Sequence, residues 1–285
     1  MKACPNCSYE GAILAFCLGS YDIVRCERCG LEFNEKFFDG STAGSIFDEH
    51  YYKDVQHSAF RDQFDNFDKD PSVRNFDKYL AIMEDRVRKG RILDVGSALG
   101  TFLKVAENRG WEPHGVEVSA FSADYARSHY GYEIVTGDVA DASWADEYFD
   151  VITFWDTIEH VLAPRQAIEH ARRMLKPDGV MLFTTDNFDC LVADLARLLY
   201  QMTKGRLRYP VERVFIKYNR SYFNAENFRT LITSAGLREV YFKRIEYPIE
   251  KINTNIAEWM VLRMIYLMQK ITRRPAQFLM MATKA

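Results

Sequence analysis

The sequence has no long hydrophobic run. Its most apolar stretch, residues 256–271, is interrupted by Glu258, Arg263, Gln269 and Lys270, which makes it too short and too charged to read as a membrane span. The opening residues carry no apolar run behind a basic start, so no secretory leader is expected. Internal repeats and low-complexity tracts are absent, which excludes solenoids and arrays. Neither sign of charge dominates: 37 Lys and Arg against 40 Asp and Glu leave a net charge of −3, without the basic excess of a nucleic-acid-binding domain. Cysteine is scarce, six in 285 residues, and a chain with no leader is expected in a reducing cytosol, where thiols bind metal more often than they pair. An apolar fraction of 48% is enough for a sizeable core, and the length suits one large domain with a small appendage, or two modest domains.

Four of the six cysteines are organised. Cys4-Pro-Asn-Cys7 and Cys26-Glu-Arg-Cys29-Gly30 are two CxxC pairs with eighteen residues between them. Each pair makes a tight turn that aims two thiolates at one ion, and the segment between can form a hairpin that brings the turns together. The pattern predicts a zinc ribbon over residues 1–38, with Cys4, Cys7, Cys26 and Cys29 as ligands. Four cysteine ligands leave no open position for a catalytic water, so the expected Zn2+ is structural. Cys17 and Cys190 are expected to be small apolar residues rather than ligands.

A linker rich in small residues follows at 39–45, within a linker and helical lid segment spanning 39–89. Ser72 is expected to cap a helix over 73–89, with Phe76, Tyr79, Leu80, Met83 and Val87 on one face. From Gly90 the texture changes to short apolar runs at 91–95, 115–118, 133–136, 150–155 and 179–185, alternating with helical patterns. That rhythm predicts an α/β fold with a doubly wound, mostly parallel sheet over 90–285. Two late strands at 237–244 and 276–283, flanking a helical stretch at 252–271, bring the count to seven.

The first strand of this region runs into Asp94-x-Gly96-x-Ala98-x-Gly100, a small-residue loop opening a helix near Thr101. Such a loop lets a ligand approach the backbone at the C-terminal edge of the sheet. Glu117 ends the second strand, where a carboxylate can accept from both hydroxyls of a ribose, and Val118 follows it. Asp138 and Val139 end the third strand, and Trp155-Asp156 end the fourth, followed by Glu159-His160-Val161. Leu175-Lys-Pro-Asp-Gly179 precedes the fifth strand.

This ordered series resembles the class I S-adenosylmethionine (SAM)-dependent methyltransferases, particularly the group that includes the ubiquinone-biosynthesis O-methyltransferases. The resemblance covers residues 75–285 and departs from the family pattern at Ala98 and Asp178, which stand where glycines are usual. It implies that Asp94, Gly96, Ala98 and Gly100 surround the methionyl end of SAM. It further implies that Glu117 holds the ribose, that Val118, Asp138 and Val139 border the adenine, and that Trp155 and Asp156 line the methionine side.

Methyl transfer to oxygen commonly needs a general base, and histidine suits that role near neutral pH. His160 is the candidate, with Asp156 as a second proton acceptor. No Asn/Asp-Pro-Pro-aromatic motif and no Pro-Cys follows the fourth strand, which argues against amino- and C5-methylation of DNA bases. An acceptor-side insertion is expected at 186–220, with Lys204, Arg206, Arg208, Arg213, Lys217 and Arg220 as a basic patch. The aromatic stretch with Tyr51, Tyr52, His57 and Phe60 is a further candidate lining. The expected activity is O-methylation of a small molecule or sugar, including lipid-linked or phosphorylated acceptors. An RNA methyltransferase and a non-catalytic SAM-binding scaffold are the alternatives. A cytoplasmic chain is expected, whose apolar 252–274 stretch packs against the sheet, with a homodimer contact or a peripheral membrane contact as the alternatives.

Overall fold

In the computed structural model, residues 3–36, 47–50, 67–246 and 256–285 are described. The linker 39–45 and Tyr51, Tyr52, His57 and Phe60 lie outside the described residues.

The N-terminal hairpin is built by β1 (Ala12–Cys17) and β2 (Asp22–Cys26), with β3 (Glu32–Asn34) antiparallel to β2. Helix α1 (Pro71–Glu84) follows. Its cap is Asp70, not Ser72: the Asp70 carboxylate accepts the Ser72 N–H at 2.7 Å, and Pro71 takes the first helical position, where its fixed φ fits and its missing N–H costs nothing. The helix also stops at Glu84, short of the expected 89.

The large sheet then alternates strand and helix: β4 (Arg91–Val95), α2 (Thr101–Asn108), β5 (Glu112–Glu117), α3 (Ala120–Tyr130), β6 (Glu133–Thr136), β7 (Phe149–Trp155), α4 (Pro164–Met174) and β8 (Leu175–Asp186). Central strands β4, β7 and β8 are buried along nearly their whole length, as parallel strands covered on both faces must be. The Leu175–Gly179 turn enters β8 as a bulge, since Phe149 pairs with Leu175 but Val151 with Val180. Helices α5 (Leu191–Met202) and α6 (Tyr209–Val214), the two-residue β9 (Ser221–Tyr222) and α7 (Ala225–Ser234) lead to β10 (Leu237–Ile245), α8 (Ile256–Thr272) and β11 (Gln277–Lys284).

The order is β10-β11-β8-β7-β4-β5-β6, with β11 antiparallel to both neighbours and the rest parallel. The chain winds one way from β4 to β6 and the other way from β7 to β8. The crevice at that switch point, beyond the C-terminal ends of β4 and β7, is where such sheets bind ligands. Among the described residues no helix is long and apolar enough to cross a membrane.

The ribbon does not stand apart. β9 pairs antiparallel with β3, Glu32 opposite Tyr222 and Phe33 opposite Ser221, and adds a fourth strand to its sheet. Val24, Leu31 and Phe33 share one core with Phe223 and Phe228, while Phe16, Tyr21 and Ile23 pack with Phe188, Phe215 and Tyr222. The Tyr21 hydroxyl donates to the Phe215 carbonyl at 2.7 Å. Glu32, 4% exposed, joins Arg25 (2.6 Å) to Arg197 of α5 (2.7 Å). Glu32→Ala would leave Arg197 without this buried partner, a loss expected to cost about 3 kcal/mol in urea unfolding. A change below about 1 kcal/mol, the worth of an exposed pair, would show that the ribbon is not clamped through this carboxylate.

Candidate active site

The four ribbon thiols converge. Cys4 and Cys29 sulfurs lie 3.6 Å apart, as do those of Cys7 and Cys26, and all four lie within 4.8 Å of one another. A tetrahedral ion with bonds of about 2.3 Å would place its sulfurs about 3.8 Å apart, so the group could bind a metal with little movement. The Asn6 amide reaches both Cys29 Sγ (3.8 Å) and the Asn227 carbonyl (3.1 Å), which ties the thiol group to α7. Cys190 is buried in the core as expected, but Cys17 is exposed at the end of β1 and does not pack as a small apolar residue.

The loop after β4 is held against β5. Gly96 and Ser97 both donate to the Val116 carbonyl, at 2.8 and 3.1 Å. Asp94 is buried beneath it and accepts the Thr153 hydroxyl at 2.7 Å; burial holds its carboxyl well above the usual carboxylate range. Gly96 is left-handed, with φ 80°, and a Cβ there would stand 2.5 Å from the Thr157 hydroxyl. Gly100, φ 85°, caps α2. Ala98 is also left-handed, φ 46°, a conformation that glycine would adopt without steric cost.

Glu117 closes the loop. Its Oε2 accepts the Ala98 N–H and its Oε1 the Ser119 N–H, each at 2.8 Å. Burial raises its pKa, opposed by the N–H groups of Ser119, Ala98 and Val118. Each carboxylate oxygen retains a second lone-pair site, the acceptor pair that a vicinal diol needs. Half-buried Val118 follows. Gly137 donates to the Glu117 carbonyl at 2.9 Å and so sets the end of β6 beside it. Asp138 is exposed there and caps a short turn through the Ala140 N–H, whereas the Val139 side chain packs into the core, leaving only its backbone for contact with a ligand.

Beyond β7, the Trp155 ring sits among Phe76 (5.0 Å between centroids), Phe102 (5.1 Å) and Tyr79, with which it stacks at 6.1 Å. Its indole N–H and the Ser97 hydroxyl are buried with no hydrogen-bond partner among the described residues. Unmet polar groups beside a glycine-bearing loop and a carboxylate with spare acceptors fit a nucleoside ligand with a polar tail. Asp156 is exposed and left-handed, φ 47°; its Oδ1 accepts from Thr184 Oγ1 (2.9 Å) and Gln277 Nε2 (3.1 Å).

His160 Nδ1 lies 2.9 Å from the Tyr218 carbonyl. A carbonyl only accepts, so Nδ1 carries the proton and the neutral ring presents Nε2 as a base. Burial lowers its pKa below the ordinary 6.5, opposed by the Tyr218 carbonyl and by Asp156. Phe47 lies edge-on to the imidazole at 5.6 Å, which brings part of the 39–89 segment over it.

Three further residues lie here in segments that the sequence pointed to, Glu159 in the Glu159-His160-Val161 motif and Asp186 and Asn219 in the 186–220 insertion, but none of them was given a role. Glu159 is buried, and burial, then Asp156 and Asp186, holds it well above the carboxylate range; its Oε2 has no hydrogen-bond partner among the described residues. Asp186 is pushed up to about 7 by burial and then by Asp156. Asn219 is 1% exposed and lies within electrostatic reach of Asp186 without a hydrogen bond of ordinary length. These groups come from three distant segments, and nothing in the spacing of any one segment announces that they meet. The basic patch is also revised. Lys204, Arg206, Arg208, Arg213 and Lys217 are exposed, but Arg220 is buried and donates to the Asn34 carbonyl.

Residues 67–241 match a family described as a methyltransferase domain. A ubiquinone biosynthesis O-methyltransferase of Actinobacillus pleuropneumoniae is 32% identical over 107 residues, which is 34% of this chain and 46% of that protein. The chain spans about half the length of the curated relatives it matches. A Pyrococcus horikoshii protein superposes with a TM-score of 0.55 at 16% identity over 83% of this chain and 99% of its own. A Thermotoga maritima SAM-dependent methyltransferase does so with 0.52 at 18% identity over 81% and 99%. The structural likenesses show the fold. The family match runs through more than half of the chain and takes in every motif from Asp94 to Gly179, so the chain belongs to the class I SAM-dependent methyltransferase family.

Proposed function

We propose that the chain transfers the methyl group of SAM to an oxygen of a small molecule or sugar. Bound SAM supplies an electrophilic methyl on a sulfonium sulfur. Glu117 holds the ribose, the 94–100 loop leaves room for the methionyl part, and the aromatic wall of Phe76, Tyr79, Phe102 and Trp155 excludes water from the crevice. The acceptor hydroxyl attacks the methyl carbon as the carbon–sulfur bond breaks, and its proton passes to His160 Nε2. The observation that carries this reading is the His160–Tyr218 bond, which gives a neutral imidazole one fixed tautomer with its basic nitrogen available. The O-methyltransferase names of the relatives support oxygen as the acceptor atom.

Calorimetry with SAM and S-adenosylhomocysteine tests the cofactor. Glu117→Gln keeps one acceptor oxygen for the loop but loses the charge, and is expected to weaken binding roughly ten- to a hundred-fold. No binding to a folded wild-type chain would remove the enzyme reading altogether.

The base is tested by pH. His160 must be neutral to accept a proton, so kcat/KM should be constant near neutrality and fall as pH drops through a pKa below 6.5. In His160→Gln that acid limb should vanish together with most turnover, while SAM affinity persists. Near-normal turnover would make His160 a positioning residue.

We infer that the four ribbon thiols hold one zinc ion, which is structural because all four positions are filled by sulfur. Metal analysis should return one zinc per chain. Chelation should lower the melting temperature of the whole chain rather than of the ribbon alone, because β3 and β9 share one sheet. An unchanged transition after zinc loss would separate the two.

A further inference from the structure

α5 and α8 pack side by side at the C-terminal edge of the large sheet. Arg274, just past α8, binds Asp194 of α5 at 2.8 Å and Asp189 at 2.6 Å, which fixes the end of one helix to the start of the other. Both turn apolar side chains to solvent at helical spacing. On α8 these are Met260, Met264, Leu267 and Ile271, the last 73% exposed; on α5 they are Leu195, Leu198 and Met202, the last 71% exposed. Exposed apolar faces on neighbouring helices are a mark of an interaction surface.

The charge beside it says what covers it. A cavity of about 800 Å³ lies between α1, the end of β10 and α8. Arg74, Lys78, Lys243, Arg244, Arg263 and Lys270 line it against a single acid, Glu246. Lys270 faces Glu246 at 3.7 Å, and Arg244 faces Asp189 at 3.6 Å. Arg74 and Lys243 make no ion pair among the described residues, and Lys78 and Arg263 lie over the rings of Tyr79 and Trp259. The cleft at the ribbon seam, about 610 Å³, is different. Each of its arginines already meets a carboxylate, Arg25 and Arg197 at Glu32, Arg229 at Glu239 and Arg244 at Asp189. Of the two clefts, the one next to the apolar face is thus the one that holds cations without carboxylate partners among the described residues, and the exposed Lys204, Arg206 and Arg208 follow α5 on the same chain segment.

We propose that the α5–α8 face docks on an anionic lipid bilayer, with the basic cavity receiving a lipid phosphate headgroup. Apolar side chains enter the acyl boundary while flanking cations meet the phosphates, as in interfacial amphipathic helices. A second copy of the chain is a poorer occupant, because self-pairing would set like charges against each other. Leu267 belongs to both the apolar face and the cavity wall, and Tyr79 belongs to both the cavity wall and the ring stack on Trp155. Docking would therefore bring a lipid-borne phosphate to the edge of the crevice; its use as part of the acceptor rests on the methyl-transfer reading, whereas docking itself does not.

The test is flotation of the full chain with vesicles of phosphatidylcholine alone or mixed equally with phosphatidylglycerol. Binding is expected only to the mixed vesicles and should weaken as salt is raised. Met264→Glu/Ile271→Glu and Arg74→Glu/Lys243→Glu should each weaken it roughly ten-fold or more, with SAM affinity by calorimetry unchanged as the check on folding. Absence of binding to either vesicle would overturn the proposal, as would binding indifferent to both double variants. A solution dimer that Met264→Glu/Ile271→Glu splits would assign the face to a second copy instead. A chain that floats but binds no SAM would keep the docking and lose the methyl-transfer reading.

Discussion

The antiparallel pairing of β3 with β9 is the contact on which the placement of the 218–222 segment beside His160 depends. It aligns two chain segments so that buried backbone groups, which must find partners, find them in each other. Asn34 donates its N–H to the Arg220 carbonyl at 3.0 Å and receives the Arg220 guanidinium on its own carbonyl. The N–H groups of Arg220 and Ser221 in turn reach the Glu159 carbonyl, at 2.8 and 3.0 Å. Two residues before Arg220, the Tyr218 carbonyl accepts the hydrogen bond from His160 Nδ1. A continuous set of hydrogen bonds thus runs from the ribbon through the 218–222 segment to His160. In this way the ribbon strand β3 helps to hold the carbonyl that sets the tautomer of the histidine.

The C-terminal edge of the large sheet collects buried carboxylates. Asp94, Glu117, Glu159 and Asp186 all have pKa values raised by burial. They differ in how well that burial is offset. Glu117 is supported by backbone N–H groups on both oxygens, whereas Glu159 keeps an oxygen without a partner. Unsatisfied groups beside a crevice cost stability that a packed apolar core would not, and such departures from local consistency concentrate where a protein binds or reacts. The apolar faces of α5 and α8 are the surface counterpart, apolar area left in water near Arg74 and Lys243, which make no ion pair among the described residues.

Much of this architecture was legible before any coordinates. β4 and β6 occupy the expected residues, and the late antiparallel hairpin of β10 and β11 lies within one residue of expectation. The glycine-bearing loop, Glu117 and the paired CxxC turns also stand where their spacing placed them. These features are local, since hydrophobic period, turn chemistry and ligand spacing act over a few residues. Other expectations failed for reasons that are not local. Ser72 lost the cap to Asp70 because Pro71 fits the first helical position. Arg220 left the surface because a partner carbonyl waited in the ribbon, and Cys17 stayed exposed because it ends β1 at the outer edge of its sheet.

By itself, then, the sequence determined the order of strands and helices, the cofactor loop and the thiol cluster, because each is specified by neighbours along the chain. Only the tertiary structure decided that the ribbon shares a sheet with residues 221–222, that Glu159, Asp186 and Asn219 meet beside His160, and that α5 and α8 leave their apolar faces uncovered. Those outcomes depend on which distant surfaces come into contact, and a pairing between residues 32 and 222 has no signature in the spacing around either one.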